Sequence, residues 1–216
     1  MTHADPARLN STPGNFDRLN LFYRPKCTSQ GSPIIEAYHG EIPDKLTPFR
    51  YRRSTPKDCT HFFLDDFRFE CVWNRPDHYL EVFNGRTVLS PDFSINFDYN
   101  VYVQMWNHYR SQWLGAYWQK KGVTIIPTVS WSNPETFCFC FDGIEPGGIV
   151  AIASQGIHSV ESILGFSDGV TAMIDRIKPE IILCAGRFNN KYIGSLGNIE
   201  VVEYSYDFKS HCYGLK

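Results

Sequence analysis

Carboxylates, hydroxyls, an amide, an indole and a guanidinium recur at equivalent places in this chain, each just after a short apolar run. His61-Phe62-Phe63-Leu64 is followed by Asp65 and Asp66, and Thr87-Val88-Leu89 by Ser90, Pro91, Asp92 and then Ser94. Val123 to Val129 leads into Ser130 and Trp131, Ile149 to Ala153 into Ser154 and Gln155, and Ile181-Ile182-Leu183-Cys184 into Ala185, Gly186 and Arg187. If these runs are parallel strands, the polar residues gather at the strand C-terminal ends, where α/β proteins bind ligands because loops and helix N-termini converge there. Such a set suits a small sugar- or nucleotide-containing ligand. Two carboxylates on neighbouring strands, Asp65 or Asp66 and Asp92, can cleave or transfer a glycosidic bond when burial keeps one protonated and the other stays ionised. The expected catalytic residues are therefore Asp65, Asp66 and Asp92. The expected ligand-binding residues are Ser90, Ser94, Ser130, Trp131, Ser154, Gln155 and Arg187. The competing structural role is that Asp66 and Asp92 cap the turns or helices after their strands.

Other motifs carry less. Arg50, Arg52, Arg53 and Lys57 concentrate positive charge in a Pro-containing segment that either contacts phosphates or an acidic partner, or is a solvated basic loop. Gly165-Phe166-Ser167-Asp168-Gly169 matches the G-x-S-x-G pattern of an esterase nucleophile elbow, with Asp207 and His211 following in the order Ser, Asp, His. That motif needs a buried strand directly before the serine, whereas Ser167 reads better as the N-cap of a helix. Cys138-Phe139-Cys140 and Cys184 lack the spacing of a zinc site and read as buried small hydrophobes. A divalent ion held by Asp65, Asp66 and Asp92 is conceivable but has no motif behind it, so no metal is assigned. Neither the phosphate-binding G-x-x-x-x-G-K-[ST] loop nor a G-x-G-x-x-G turn is present, and no cofactor is expected.

The elements that must position these groups follow from patterning. The apolar runs above, with Ile199 to Val202, are nearly free of polar residues, as expected when both faces of a strand are covered. Between them, Asp98 through Lys121 reads as a helix with Val103, Trp106, Arg110, Trp113, Leu114 and Tyr117 at three- and four-residue steps and Gly122 as its stop. Arg110 falls on the apolar face of that helix, where a guanidinium needs a partner, and a buried carboxylate is the favoured one. Asn133-Pro134-Glu135 starts a short helix toward Gly143, and a further helix places Val170, Met173, Ile174 and Ile177 on one face ahead of Pro179. Strand and helix alternate from about Thr60 onward, which predicts a mostly parallel sheet with right-handed crossovers. Six or seven such strands fit a compact, incomplete β/α barrel, which the missing glycine fingerprint favours, or an open doubly wound sheet. Residues 1–57 read as an N-terminal arm and loops, with Pro33 to Tyr38 as one candidate strand, packing on an α/β domain of residues 58–216.

The chain has 216 residues, 43% hydrophobic and 20% charged, with 21 Lys plus Arg against 23 Asp plus Glu, which excludes a disordered chain and a polycation coating nucleic acid. Aromatic residues make up 15% of it, enough for some rings to line a site. No apolar stretch approaches the ~20 residues that span a bilayer, and the polar N-terminus lacks a signal-peptide core. Seven cysteines, an odd number without framework spacing, suit a reducing cytoplasm.

Five ordered blocks add a resemblance: His61 to Glu70, Leu89 to Ser94, Arg110 to Gln119 (RSQWLGAYWQ), Ile126 to Trp131 and Phe139 to Ile144. Together, over roughly residues 30 to 190, the chain resembles an uncharacterised family of bacterial, phage and plasmid proteins, a domain of unknown function. The resemblance implies a bacterial or mobile-element context and brings no assigned activity. Two function classes follow. One is a small cytoplasmic α/β enzyme, a hydrolase or transferase at a glycosidic bond. The other is a non-catalytic protein that sequesters a nucleotide or contacts a host protein or nucleic acid. A serine esterase is a minor third.

Overall fold

In the computed structural model, residues 23–50, 55, 57–157 and 159–205 are described. Among these residues seven short strands carry the fold: β1 Lys45–Pro48, β2 Asp58–His61, β3 Thr87–Leu89, β4 Thr124–Ile126, β5 Ile149–Ala153, β6 Ile181–Ala185 and β7 Glu200–Tyr204. All ladders among them are parallel, in the order β1-β2-β3-β4 and β5-β6-β7. The backbone beyond β4 continues into β5, since Thr128 bridges Ala151 in parallel, Val129 N–H donates to Ala151 C=O at 2.8 Å, and Ala151 N–H donates to Pro127 C=O at 2.9 Å. This is the alternating α/β fold with a mostly parallel sheet that the apolar runs imply.

Strand ends differ from the apolar runs where packing overrides composition. β2 stops at His61, and Phe62 and Phe63 leave the ladder to enter cores on opposite sides: Phe62 lies among Phe49, Phe69 and Trp118, Phe63 among Cys59, Leu89 and Ala151. Pro33 to Tyr38 forms isolated bridges, Ile35 with Ile144 and Tyr38 with Ile149, rather than a strand. β1 lies before residue 57 and pairs with β2 in register Lys45 to Asp58. One apolar cluster draws side chains from every strand: Leu46, Cys59, Leu89, Ile126, Ala151, Leu183 and Val202 among them.

Among the described residues five helices flank the strands: α1 Glu70–Asn74, α2 Pro76–Val82, α3 Val101–Lys120, α4 Phe137–Cys140 and α5 Val160–Ile177. α3 begins at Asn100, not Asp98, because the Asn100 side chain accepts the Tyr102 N–H at 3.0 Å. From Gln104 to Trp118 it is buried nearly all round, beneath Ile35, α1 and α2 on one side and the strands on the other. Its three-and-four pattern therefore describes only part of its contacts: Val103 is exposed, while Asn107 and His108 are buried. Gly115 makes the tight approach possible, since a Cβ there would sit 2.4 Å from Ile35 Cδ1 and 3.0 Å from Ser90 Cβ.

The helix after β5 starts eight residues earlier than expected. Ser159, not Ser167, is the N-cap, in a reciprocal capping pair with Ser162. Ser167 is a mid-helix residue, 1% exposed, whose hydroxyl donates to Ile163 C=O at 2.8 Å. This overturns both the cap assignment and the elbow geometry, which requires a strand-to-helix turn. Asp207 and His211 lie outside the described residues.

Candidate functional site at the strand C-terminal ends

Asp66 opens a 3-10 turn, Asp66–Arg68, shortly after β2. Its carboxylate accepts the Ser94 backbone N–H at 3.1 and 3.2 Å and the Ser94 hydroxyl at 2.8 Å. The Ser94 carbonyl accepts from Asn107 Nδ2 at 2.7 Å, and Asn107 Oδ1 accepts from Arg110 Nη2 at 2.7 Å. Arg110 Nη1 in turn donates to both carboxylate oxygens of Glu70, at 2.7 and 2.9 Å. The guanidinium lies 3.8 Å from the centroid of the Phe93 ring. The carboxylate partner that patterning requires for Arg110 is thus Glu70, half-exposed rather than buried, and a continuous polar chain fixes the segment after β3 against α1 and α3. Linked networks of this kind favour one geometry because a lost link strands a buried polar group; here only Arg110 Nε of the polar chain is buried without a hydrogen-bond partner among the described residues.

Asp92 stands two residues before Ser94. The residue is half-buried, yet its carboxyl is deeply enclosed. Burial pushes that carboxyl up to about 7; a hydrogen bond with Ser130 opposes the rise and the nearby charge of Asp66 adds to it. Asp65 departs from this pair. It is exposed and bonds Arg68 Nε at 3.1 Å. Among the described residues, no group of three or more His, Cys, Asp or Glu side chains is arranged to hold a metal ion. Burial raises the thiols of Cys140 and Cys184, to about 12 and about 11, which suits their place in the apolar core.

Beside the carboxylates, Trp131 packs on Phe141 and Phe166, with ring centroids 6.0 and 5.8 Å away. Phe166 in turn lines a cavity of ≈ 290 Å³ with Ser154, Ile157, Arg187 and Asn189. Two elements supply its polar rim: Ser154 follows β5, and Arg187 and Asn189 follow β6. Gly186 allows the closure, because it takes φ +110° and a Cβ there would lie 2.5 Å from Ser154 Oγ. Asp92, Ser130, Trp131, Phe166 and the cavity form one band across the ends of β3 to β6.

Other expected site residues fall elsewhere. Ser90 is fully buried, its hydroxyl accepting the Thr128 N–H at 2.8 Å and its carbonyl the Thr128 hydroxyl at 2.6 Å, so it ties β3 to β4. Gln155 is exposed in a turn. Arg50, at φ 68°, donates to Cys71 Sγ at 3.2 Å and sits over the Phe49 ring, while Lys57 is exposed. Arg52 and Arg53 lie outside the described residues.

Residues 32–205 match the family model for a domain of unknown function, DUF4417. The chain belongs to the DUF4417 family. It is 40% identical to the Gene 1 protein of Mycobacterium phage L5, over 92% of this chain and 89% of that protein, and 39% identical to the Gene 1 protein of Mycobacterium phage D29, over 92% of this chain and 75% of that protein. No solved structure matches it. The phage relatives agree with the context that the five sequence blocks imply.

Within this DUF4417 chain the G-x-S-x-G stretch has a packing explanation. A Cβ on Gly169 would lie 1.8 Å from Trp131 Nε1, so the glycine leaves a recess on α5 in which the indole rests. Glu70, Asn107, Phe166 and Asn189 were not singled out by strand-end reasoning, because they reach the site from helices or from farther along a loop. Polarity on the buried face of α3 is the one signal that could have pointed to Asn107.

Proposed function

We propose that this DUF4417 protein is a hydrolase or transferase acting at the glycosidic bond of a small sugar- or nucleotide-containing ligand. Asp92 is the general acid and Asp66 the base or nucleophile. The observation that carries this reading is the pair of contrasting environments of Asp66 and Asp92, after the neighbouring strands β2 and β3. Asp66 accepts from two donors of Ser94, and Asp92 is enclosed so that its proton is retained to about neutral pH. Ser130 orients Asp92, Trp131 offers a face for stacking, and Ser154 and Arg187 bind from the cavity. The strand order, the link from β4 into β5, the cluster shared by all seven strands, and the Tyr204 hydroxyl donating to Pro43 C=O at 2.6 Å just ahead of β1 support an incomplete β/α barrel. Among the described residues no helix is long and apolar enough to cross a membrane; a cytoplasmic location is part of the proposal.

The test is hydrolysis of nucleosides, nucleotides, sugar phosphates and simple glycosides between pH 4 and 8, with Asp92→Asn and Asp66→Asn. Turnover by the wild type, falling above about pH 7 and lost in both variants with ligand binding kept, supports the assignment. Binding without turnover in the wild type supports the second reading, a protein that sequesters its ligand or contacts a host macromolecule. That reading is favoured by the exposed rings of Phe67, Phe97 and Tyr102, which are 72%, 79% and 78% accessible.

A further inference from the structure

The cavity after β5 and β6 has a chemistry more specific than its place at the sheet end. Its lining offers the Arg187 guanidinium and the Asn189 amide as donors, the Ser154 hydroxyl, which donates to Ala185 C=O at 3.5 Å and would turn from it to reach a ligand, and two apolar walls, Ile157 and Phe166. Among the described residues no carboxylate lines it, and no ion pair joins Arg187 to a described carboxylate. The Glu203 carboxylate lies near the loop after β6 but is not among the described lining residues, and it accepts the Phe188 N–H at 2.7 Å. A site with a cation, neutral donors and no anion favours an anionic ligand group, and a planar guanidinium matches two phosphate oxygens at once. At ≈ 290 Å³ the cavity sits at the small end of ligand pockets, enough for a sugar phosphate or part of a nucleotide and too small for a polymer.

The geometry points to a phosphomonoester clamp. Arg187, with Asn189 and Ser154, holds the terminal phosphate of the ligand, Ile157 and Phe166 cover its carbon skeleton, and the ligand runs past Trp131 toward Asp92. The inference rests on the reading of the strand ends as the ligand site, but not on catalysis there. It narrows the ligand to a phosphorylated small sugar or a nucleoside monophosphate, which share the phosphomonoester. Arg187 is exposed, so its substitution leaves the core untouched.

Calorimetric titration of the full chain with AMP, adenosine, ribose 5-phosphate, ribose and inorganic phosphate tests it. AMP and ribose 5-phosphate are expected to bind at least tenfold more tightly than adenosine and ribose. Arg187→Gln should weaken the two phosphomonoesters by about ten- to a hundredfold and leave the unphosphorylated probes unchanged, while Arg187→Lys restores part of the loss. AMP binding more tightly than ribose 5-phosphate assigns the clamp to a nucleotide; the reverse assigns it to a sugar phosphate. Equal binding of phosphorylated and unphosphorylated probes, indifference to Arg187→Gln, or no binding of either phosphomonoester overturns the clamp. The catalytic reading fails separately: Arg187-dependent binding with no turnover at any pH leaves the clamp standing and removes the acid/base assignment, whereas Asp92-dependent turnover that ignores Arg187 does the opposite.

Discussion

The Asp66 carboxylate and the Ser94 hydroxyl meet at 2.8 Å, and the same carboxylate takes the Ser94 backbone N–H. Through this pair the end of β2 holds the segment after β3, and with it Asp92, in one position. Ser94→Ala removes the hydroxyl donor and leaves the backbone donor. A hydrogen bond to a charged group contributes about 1.5 to 3 kcal/mol, so a loss of about 1 to 2 kcal/mol in denaturant unfolding is expected for this partly exposed pair. If the proposed chemistry is right, kcat should fall more than KM rises, because the substitution disturbs the catalytic carboxylate rather than the cavity.

Two enclosed groups make stability depend on pH in opposite directions. Asp92 has a folded pKa raised to about 7, so it contributes stability that is fully present below the ordinary carboxylate range and is lost as pH rises through about 7. His108 is held neutral: burial lowers it to about 4, against weaker opposing contributions from the Asp142 carbonyl and carboxylate. Its contribution is present above about 6.5 and is lost as pH falls through about 4, on the order of 3 kcal/mol in all. Asp92→Asn should therefore leave a stability curve that rises with pH between 4 and 6.5, and His108→Gln one that falls between 4 and 7. Urea midpoints at half-unit pH steps measure both, and identical curves for the two variants would contradict the assignment.

Gly169→Ala sets local propensity against tertiary contact. Alanine gains about 1 kcal/mol in an isolated helix, but here its Cβ would lie 1.8 Å from Trp131 Nε1, in a half-buried and rigid ring. Displacement of the indole is expected, seen as a red-shifted emission relative to a Trp131→Phe reference, together with a lower Tm. An unchanged spectrum with a higher Tm would mean that the helix propensity wins and the recess is not needed.

Arg110 is 9% exposed and Glu70 40% exposed at the side chain, so the two halves of their ion pair should respond unequally. Glu70→Ala leaves an enclosed guanidinium with Asn107 and the Phe93 face alone and is expected to cost about 2 to 3 kcal/mol. Arg110→Met removes the charge while keeping most of the volume and should cost less. Chemical denaturation of the two single variants and the double variant gives the coupling between them.

Periodicity and composition by themselves determined the alternation of strands and helices, because an apolar run of three to five residues between turn residues has few other uses. They also placed Asp66, Asp92, Ser130, Trp131, Ser154 and Arg187 at strand ends, since in a parallel sheet that follows from chain direction alone. The need of Arg110 for a carboxylate was legible too, a charge on an apolar helix face having few alternatives. Tertiary structure decided the rest. Phe62 and Phe63 leave β2 because two cores compete for them, and α5 starts at the Ser159 and Ser162 pair because it caps the helix with two reciprocal bonds. Gly169 is explained by an indole 38 positions earlier in the chain, which no local pattern can reveal. Whether a hydroxyl binds or braces depends on its place in space: Ser90 is fully buried and consumed by Thr128, while Ser154, with a long 3.5 Å bond to Ala185 C=O, also lines a cavity. Glu70, Asn107 and Phe166 enter the site from helices, and only packing brings them there.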